Sequence, residues 1–245
     1  MFELRGGWAG FLLALGLAAP LPAQTAEELL RLADRPRESL SEAILHVRAT
    51  VLHDGKSDSP AEFDLYRKGE DRALVVFTAG RQKGRKVLTV GDRFWLLVPG
   101  SARPIPVTAN QRLMGGAAMG DVAKLRFSSE FRGTLAPGAE SVDGLECDVV
   151  ELAAARAGAS YASGRLWMDR REHLPRRALL SLLSGKPAKE VLFESYGTQA
   201  GVTVLRSQTV KDLLSPGLAT RLEYSAHRRA KLPDSMFTPE GALAY

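Results

Sequence analysis

The stretch from Gly91 to Phe131, GDRFWLLVPGSARPIPVTANQRLMGGAAMGDVAKLRFSSEF, decides how this chain reads. Arg93 to Val98 has the character of a strand, carrying Phe94 and Trp95 on adjacent faces. Pro99, Pro104 and Pro106 then release the chain from the sheet. From Ala109 to Phe131 the apolar residues Leu113, Met114, Met119, Val122, Leu125, Phe127 and Phe131 follow neither a strand nor a helix period. A long irregular segment inside a regular sheet protein is either a functional cover or a disordered loop. Its apolar content argues against disorder. The segment is expected to lid an apolar cavity.

Working outward, the N-terminus reads as a leader. Met1 to Arg5 supply a positive charge, Trp8 to Ala19 form an apolar run, and Leu21-Pro22-Ala23 is a small-residue cleavage site. Residues 1–23 are therefore expected to be a secretory signal peptide, too short to cross a bilayer as a stop-transfer helix. A cut after Ala26 is the alternative. No cysteine follows the apolar run to accept a lipid, so a soluble periplasmic protein is expected. Roughly 220 residues, 24–245, remain for one domain with a sizeable core. Cleavage removes one Arg and one Glu, so the net charge stays at +5. The basic clusters are Arg81, Lys83, Arg85 and Lys86, and His227, Arg228, Arg229 and Lys231. They read as solvated turns, or as patches for an acidic partner or membrane surface. Nucleic acid is not expected, because few aromatics lie near either cluster. Cys147, the lone cysteine, reads as a small buried hydrophobe.

Thr25 to Glu28 spells a capping box. Leu29, Leu32 and Ala33 then share a helical face, and Pro36 is expected to stop the helix. From Ala43 the period becomes two. Leu45, Val47, Ala49 and Val51 alternate with His46, Arg48 and Thr50, and Ala61, Phe63 and Leu65 alternate with Glu62, Asp64 and Tyr66. Ala73 to Thr78, Val87 to Val90 and the Arg93 strand complete a first meander. A second takes in Leu145–Leu152, Gly164–Asp169, Arg177–Leu183, Lys189–Tyr196, Val202–Val210 and Leu218–Tyr224. The total is about eleven antiparallel strands at hairpin spacing, with little helix, so the fold class is mainly β, as one strongly curved sheet or a barrel.

Several segments resemble the periplasmic lipoprotein-carrier (LolA-like) superfamily, and within it the outer-membrane lipoprotein-sorting proteins. They are Gly91 to Leu96 with Pro99; Gln111-Arg112-Leu113, Gly115 or Gly116, and Met119 to Ala123; Leu166 to Asp169 with Leu174-Pro175 and Ser184 to Lys186; and Pro233 to Leu243 with Phe237-Thr238. Ala117-Ala118 departs from the more polar residues of that loop. The resemblance implies an unclosed β-barrel of about eleven strands, with short helices and a loop lid over a concave apolar face that holds acyl chains.

Acyl chains are featureless, so a binder needs apolar area and adaptable contacts, which methionine supplies. Trp95, Leu97, Leu113, Met114, Met119, Val122, Leu125, Phe127 and Met168 are the candidate cavity and lid residues, with Arg112 and Asp121 as a candidate tether of the lid. No enzyme is expected. The four histidines (46, 53, 173 and 227) lack zinc spacing, Gly158 to Ala162 lacks the second glycine of a nucleophile elbow, and Gly115 to Gly120 lacks the Lys-Ser/Thr of a phosphate loop. No cofactor or metal is expected. The expected role is a monomeric carrier of lipoprotein acyl chains or lipid between an inner-membrane exporter and an outer-membrane acceptor. The alternatives are a lipoprotein sensor acting on a membrane partner, and the periplasmic partner of an inner-membrane lipid exporter.

Overall fold

The computed structural model describes residues 24–38, 42–109, 111–115, 117–118, 125–157 and 159–245. The leader expected over residues 1–23 lies outside them. Thr25 Oγ1 accepts from the backbone N–H of Glu28 at 3.2 Å and starts helix α1 (Ala26–Glu38). Pro36 does not end the helix, as expected from the sequence, but lies buried inside it. The N–H that proline lacks falls in the last turn, where Arg67 donates to the Arg37 carbonyl and takes over part of the capping.

The strands are β1 (Glu42–His53), β2 (Lys56–Ser57), β3 (Ala61–Lys68), β4 (Arg72–Ala79), β5 (Lys86–Val90), β6 (Arg93–Leu97) and β7 (Ile105–Val107). A separate two-stranded piece, β8 (Arg112–Met114) and β9 (Ala117–Ala118), precedes helix α2 (Phe127–Glu130). Then come β10 (Phe131–Val142), β11 (Leu145–Ala154), β12 (Ser163–Asp169), β13 (Pro175–Ser181), β14 (Pro187–Gln199), β15 (Val202–Asp212) and β16 (Leu218–Arg229). The large sheet runs β10-β11-β12-β13-β14-β15-β16-β1-β3-β4-β5-β6-β7, with β2 paired to β1. Each neighbouring pair of strands is antiparallel, and the two meanders are joined by β1 against β16, from Ala43 opposite Arg229 to His53 opposite Leu218.

The described residues hold sixteen strands, more than the expected eleven or so. The main addition, β10, contains Gly133, Pro137 and Gly138, which hide any alternation. At the edge of the sheet it can hold a proline and a register shift between Leu135 and Ala139.

Two contacts show how far the sheet curls. Arg156, just after β11, places Nη2 2.7 Å from Asp92 in the β5–β6 turn and 3.1 Å from Glu130. These strands stand near opposite ends of the sheet order, so the sheet bends round without closing. The face turned inward carries the main core. Leu45 and Val47, Phe63 and Leu65, Phe94, Val150 and Met168 pack there with Leu29, Leu30 and Ala33 of α1.

On the outer face a second core forms under the C-terminal segment. A 3-10 turn at Asp234–Phe237 and helix α3 (Pro239–Ala244) place Leu232, Met236 and Phe237 over Tyr66, Leu74, Leu88 and Leu97. His227, grouped by sequence with a solvated turn, instead lies in β16, only 6% exposed. Pairing with β1 extends that strand and turns His227 inward, opposite Leu45. Cys147 is fully buried beside Val149 and Trp167.

Candidate functional site

The concave face is apolar along most of its length, and parts of the same chain fill it. Helix α1 lies inside it, touching β10 and β15. Helix α2 is fastened to α1 by Asp34, which is 3% exposed. Its carboxylate accepts from Phe127 N at 2.8 Å, Ser128 N at 2.9 Å and Ser128 Oγ at 2.7 Å, and so satisfies the first free N–H groups of α2. Phe127 is fully buried, its ring 6.3 Å from those of both Phe131 and Phe193. The β8–β9 piece lies against β1 and β16. Thr220 Oγ1 donates to the Met114 carbonyl at 3.0 Å. Gly115 (φ +52°) sits so close that a Cβ there would come within 2.7 Å of Val51 and Thr220.

The candidate residues divide between the two faces. Phe127 and Met168 are fully buried in the concave core, with Met114 and Leu125 packed against it. Trp95 and Leu97, expected to line the same cavity, are placed on the outer face under the C-terminal segment. Strand alternation requires this once Phe94 and Leu96 face the core. Leu113 and Arg112 belong to β8, but their side chains lie outside what is described, as do Met119, Val122 and Asp121 entirely; the Arg112–Asp121 tether lies there too.

One rim of the concavity is polar. A recess here is lined by Arg37, Arg67 and Arg126, Glu38 and Glu70, and Thr89, Tyr224 and His227, among others. Arg37 Nη2 is 3.4 Å from Asp34, and Arg126 pairs with Glu38 at 2.5 Å and Glu70 at 3.1 Å. Burial pushes the Glu38 carboxyl up, with Asp34 adding to it. Tyr224 is pushed up to about 12 by burial, and its hydroxyl accepts from Gln208 Nε2 at 2.9 Å. Burial holds His227 below the usual histidine value, with Arg206 adding to it, and its Nε2 donates to the Leu205 carbonyl at 3.2 Å. The recess admits only about 30 Å³ of water-sized contents, roughly two waters. A larger free volume, about 430 Å³, opens on the outward side of α1 between Leu32, Arg35 and Pro36 and the turn at Glu172 to Leu174. Among the described residues no three His, Cys, Asp or Glu side chains gather to hold a metal.

Sequence reasoning missed Asp34 and Arg67. Arg67 carried a signal, since it continues the inward alternation of Phe63 and Leu65. Asp34 stands one residue from Ala33 and four from Leu30 on the buried face of α1.

A family model described only as an uncharacterized protein matches residues 69–241. No curated protein matches the sequence. Among solved structures the chain is similar to a LolA superfamily protein from Nitrosomonas europaea, with 26% identity and a TM-score of 0.80 over 89% of this chain and 99% of that one. It is similar in fold to a DUF1329 family protein from Desulfovibrio piger, with 20% identity and a TM-score of 0.75 over 90% and 100% of the two chains. It also resembles in fold an outer-membrane lipoprotein-sorting protein domain from Vibrio parahaemolyticus, with 16% identity and a TM-score of 0.74 over 90% and 98%.

Proposed function

We propose, from the LolA-like fold that the chain shares with these structures, that it is a non-enzymatic carrier, exported to the periplasm, that shields acyl chains of a lipoprotein or lipid on their way to the outer membrane. The observation that carries this reading is the filling of the concavity. Its apolar wall is covered by α1, α2 and the β8–β9 piece, which are joined to the sheet by loops and a few polar ties. Acyl chains can replace such a filling without breaking the sheet.

Energetics favour this arrangement for a transfer protein. Burying a palmitoyl chain yields roughly 12 kcal/mol at about 0.8 kcal/mol per methylene. A permanently open cavity would hold its cargo too tightly to release it. Displacing an internal apolar filling offsets much of that gain and makes binding reversible. Among the described residues no helix is long and apolar enough to cross a membrane.

The test is native mass spectrometry, with lipid extraction, of the full protein purified from its own periplasm. A co-purified lipoprotein or acylated lipid is expected. An empty protein that also fails to take up a fluorescent fatty acid would refute the carrier reading and favour a sensor.

A further inference from the structure

In the polar recess at the rim of the concavity one arginine, Arg67, has no carboxylate within ion-pair distance among the described residues. We infer that the recess is a binding site for an oxyanion, presented by the headgroup of an acidic lipid, with Arg67, Thr89 and Tyr224 as its donors. The headgroup assignment rests on the carrier reading; the oxyanion site itself does not.

The ion pairs single out one cation. Glu38 and Glu70 are both taken by Arg126, Asp71 lies 3.9 Å from Arg72, and Arg72 is held mainly by Asp234 at 2.6 Å. Arg37 has Asp34. Arg67 is the exception. Among the described residues its guanidinium has no carboxylate partner, and its hydrogen bond goes to a main-chain carbonyl, that of Arg37. Burial holds its pKa below the usual arginine value, with the charge of Arg37 adding to the effect. An arginine in a protein still stays protonated. A half-buried guanidinium with no ion-pair partner at hydrogen-bond distance leaves donors unused, and a carboxylate or phosphate can take them in pairs.

The second observation is independent of charge. Thr89, on β5, is 1% exposed and lines the same recess, yet its Oγ1 has no hydrogen-bond partner. Buried hydroxyls are normally satisfied, and an orphan needs a reason. Tyr224 supplies a third donor. Its oxygen accepts from Gln208, which leaves its own proton for a ligand, and burial keeps the phenol protonated through the neutral range. The three donors come from β3, β5 and β16, on both sides of β1 and β4 in the sheet. An anion there would sit where a headgroup emerges while its chains lie along the apolar wall.

The test compares lipids with identical chains. The full mature protein is incubated with phosphatidylcholine vesicles containing either dioleoylphosphatidylglycerol or dioleoylglycerol, and the retained lipid is counted by native mass spectrometry. Wild type should retain the phosphatidylglycerol about ten- to a hundredfold better, the worth of one or two charge-assisted hydrogen bonds. Arg67→Gln should bring the two lipids to equal retention, and Arg67→Lys should recover part of the preference. Thr89→Val removes an already unpaired hydroxyl, so it should fold at least as stably while lowering the preference severalfold. Equal retention by wild type, or a preference that survives both Arg67→Gln and Thr89→Val, overturns the inference. In a parallel arm inorganic phosphate is titrated alone against thermal stability. If phosphate protects wild type but not Arg67→Gln while the two lipids bind equally, the oxyanion site stands and the headgroup assignment falls. If neither lipid is retained at all, the carrier reading has failed, and the phosphate arm still decides the recess.

Discussion

Asp34→Ala tests how the filling is held in the concavity. The Asp34 carboxylate accepts three hydrogen bonds from Phe127 and Ser128, at 2.7 to 2.9 Å, from a position 3% exposed. A buried donor that loses its partner costs about 1–3 kcal/mol, with charged acceptors at the upper end. Ser128 is exposed and can turn to water, so the Phe127 N–H is left stranded and Arg37 loses its ion pair. We expect a loss of about 3 kcal/mol, which in a chain of this size lowers Tm by roughly 6–12 °C. The loss should be local. Hydrogen exchange at Phe127 and Ser128 should accelerate about a hundredfold, while the amides of β1 and β16 stay far better protected. Uptake of a fluorescent fatty acid should quicken. Asp34→Asn keeps one acceptor oxygen and should lie in between. A Tm change below about 2 °C, with exchange at Phe127 unaltered, would refute the idea that this carboxylate fastens α2.

Other outcomes follow from single contacts. Gly115→Val puts a side chain within 2.7 Å of Val51 and Thr220 on a left-handed backbone, costing about 1–2 kcal/mol before any clash; it should lift the β8–β9 piece and speed probe uptake in stopped-flow fluorescence, and unchanged rates would count against that. Asp169 is buried, which raises its pKa, but the Arg171 and Glu172 N–H groups and the Arg176 guanidinium outweigh burial and hold it below the usual aspartate range. Its contribution is therefore present above the unfolded value near 3.9 and lost as pH falls through the folded one. Asp169→Asn should destabilise at pH 7 in urea titrations, with the gap narrowing as pH falls below the unfolded value near 3.9; a constant gap would contradict the ion pair. Burial pushes the Cys147 thiol up, with Asp169 adding to it, so the native protein should resist a thiol reagent that labels it fully in urea. Labelling at the rate of a free thiol would show that β11 is open.

Much of the sheet was legible because one face of each strand is apolar. The alternation through β1 and β3 sets both their existence and their inward residues. What local pattern cannot carry is which side of a strand becomes concave. Phe94 and Trp95 look alike in sequence, and their fates diverge because the distant segment from Leu232 to Phe237 folds back over the Trp95 side. Edge position hid β10, since a strand paired on one side tolerates Pro137 without alternation. Arg67 and Asp34 were passed over for a related reason. Each is a charged residue at a position where period alone calls for an apolar one, and its role shows only when the carbonyl or amide it serves arrives from far along the chain.

The bridge from Arg156 to Asp92 and Glu130 joins regions that share no strand ladder, and the sheet path ends at β7 on one side and β10 on the other. Mechanically this is a split ring with a clasp. A fully closed barrel can widen only by breaking a whole row of backbone hydrogen bonds, whereas here the clasp is an exposed ion cluster, of the kind worth about 0.2–1 kcal/mol per pair. The ring can therefore gape to match the girth of what it holds without breaking a row of backbone hydrogen bonds. Because that clasp is screened over about 8 Å at physiological salt, the ease of gaping is set partly by the ions around the protein.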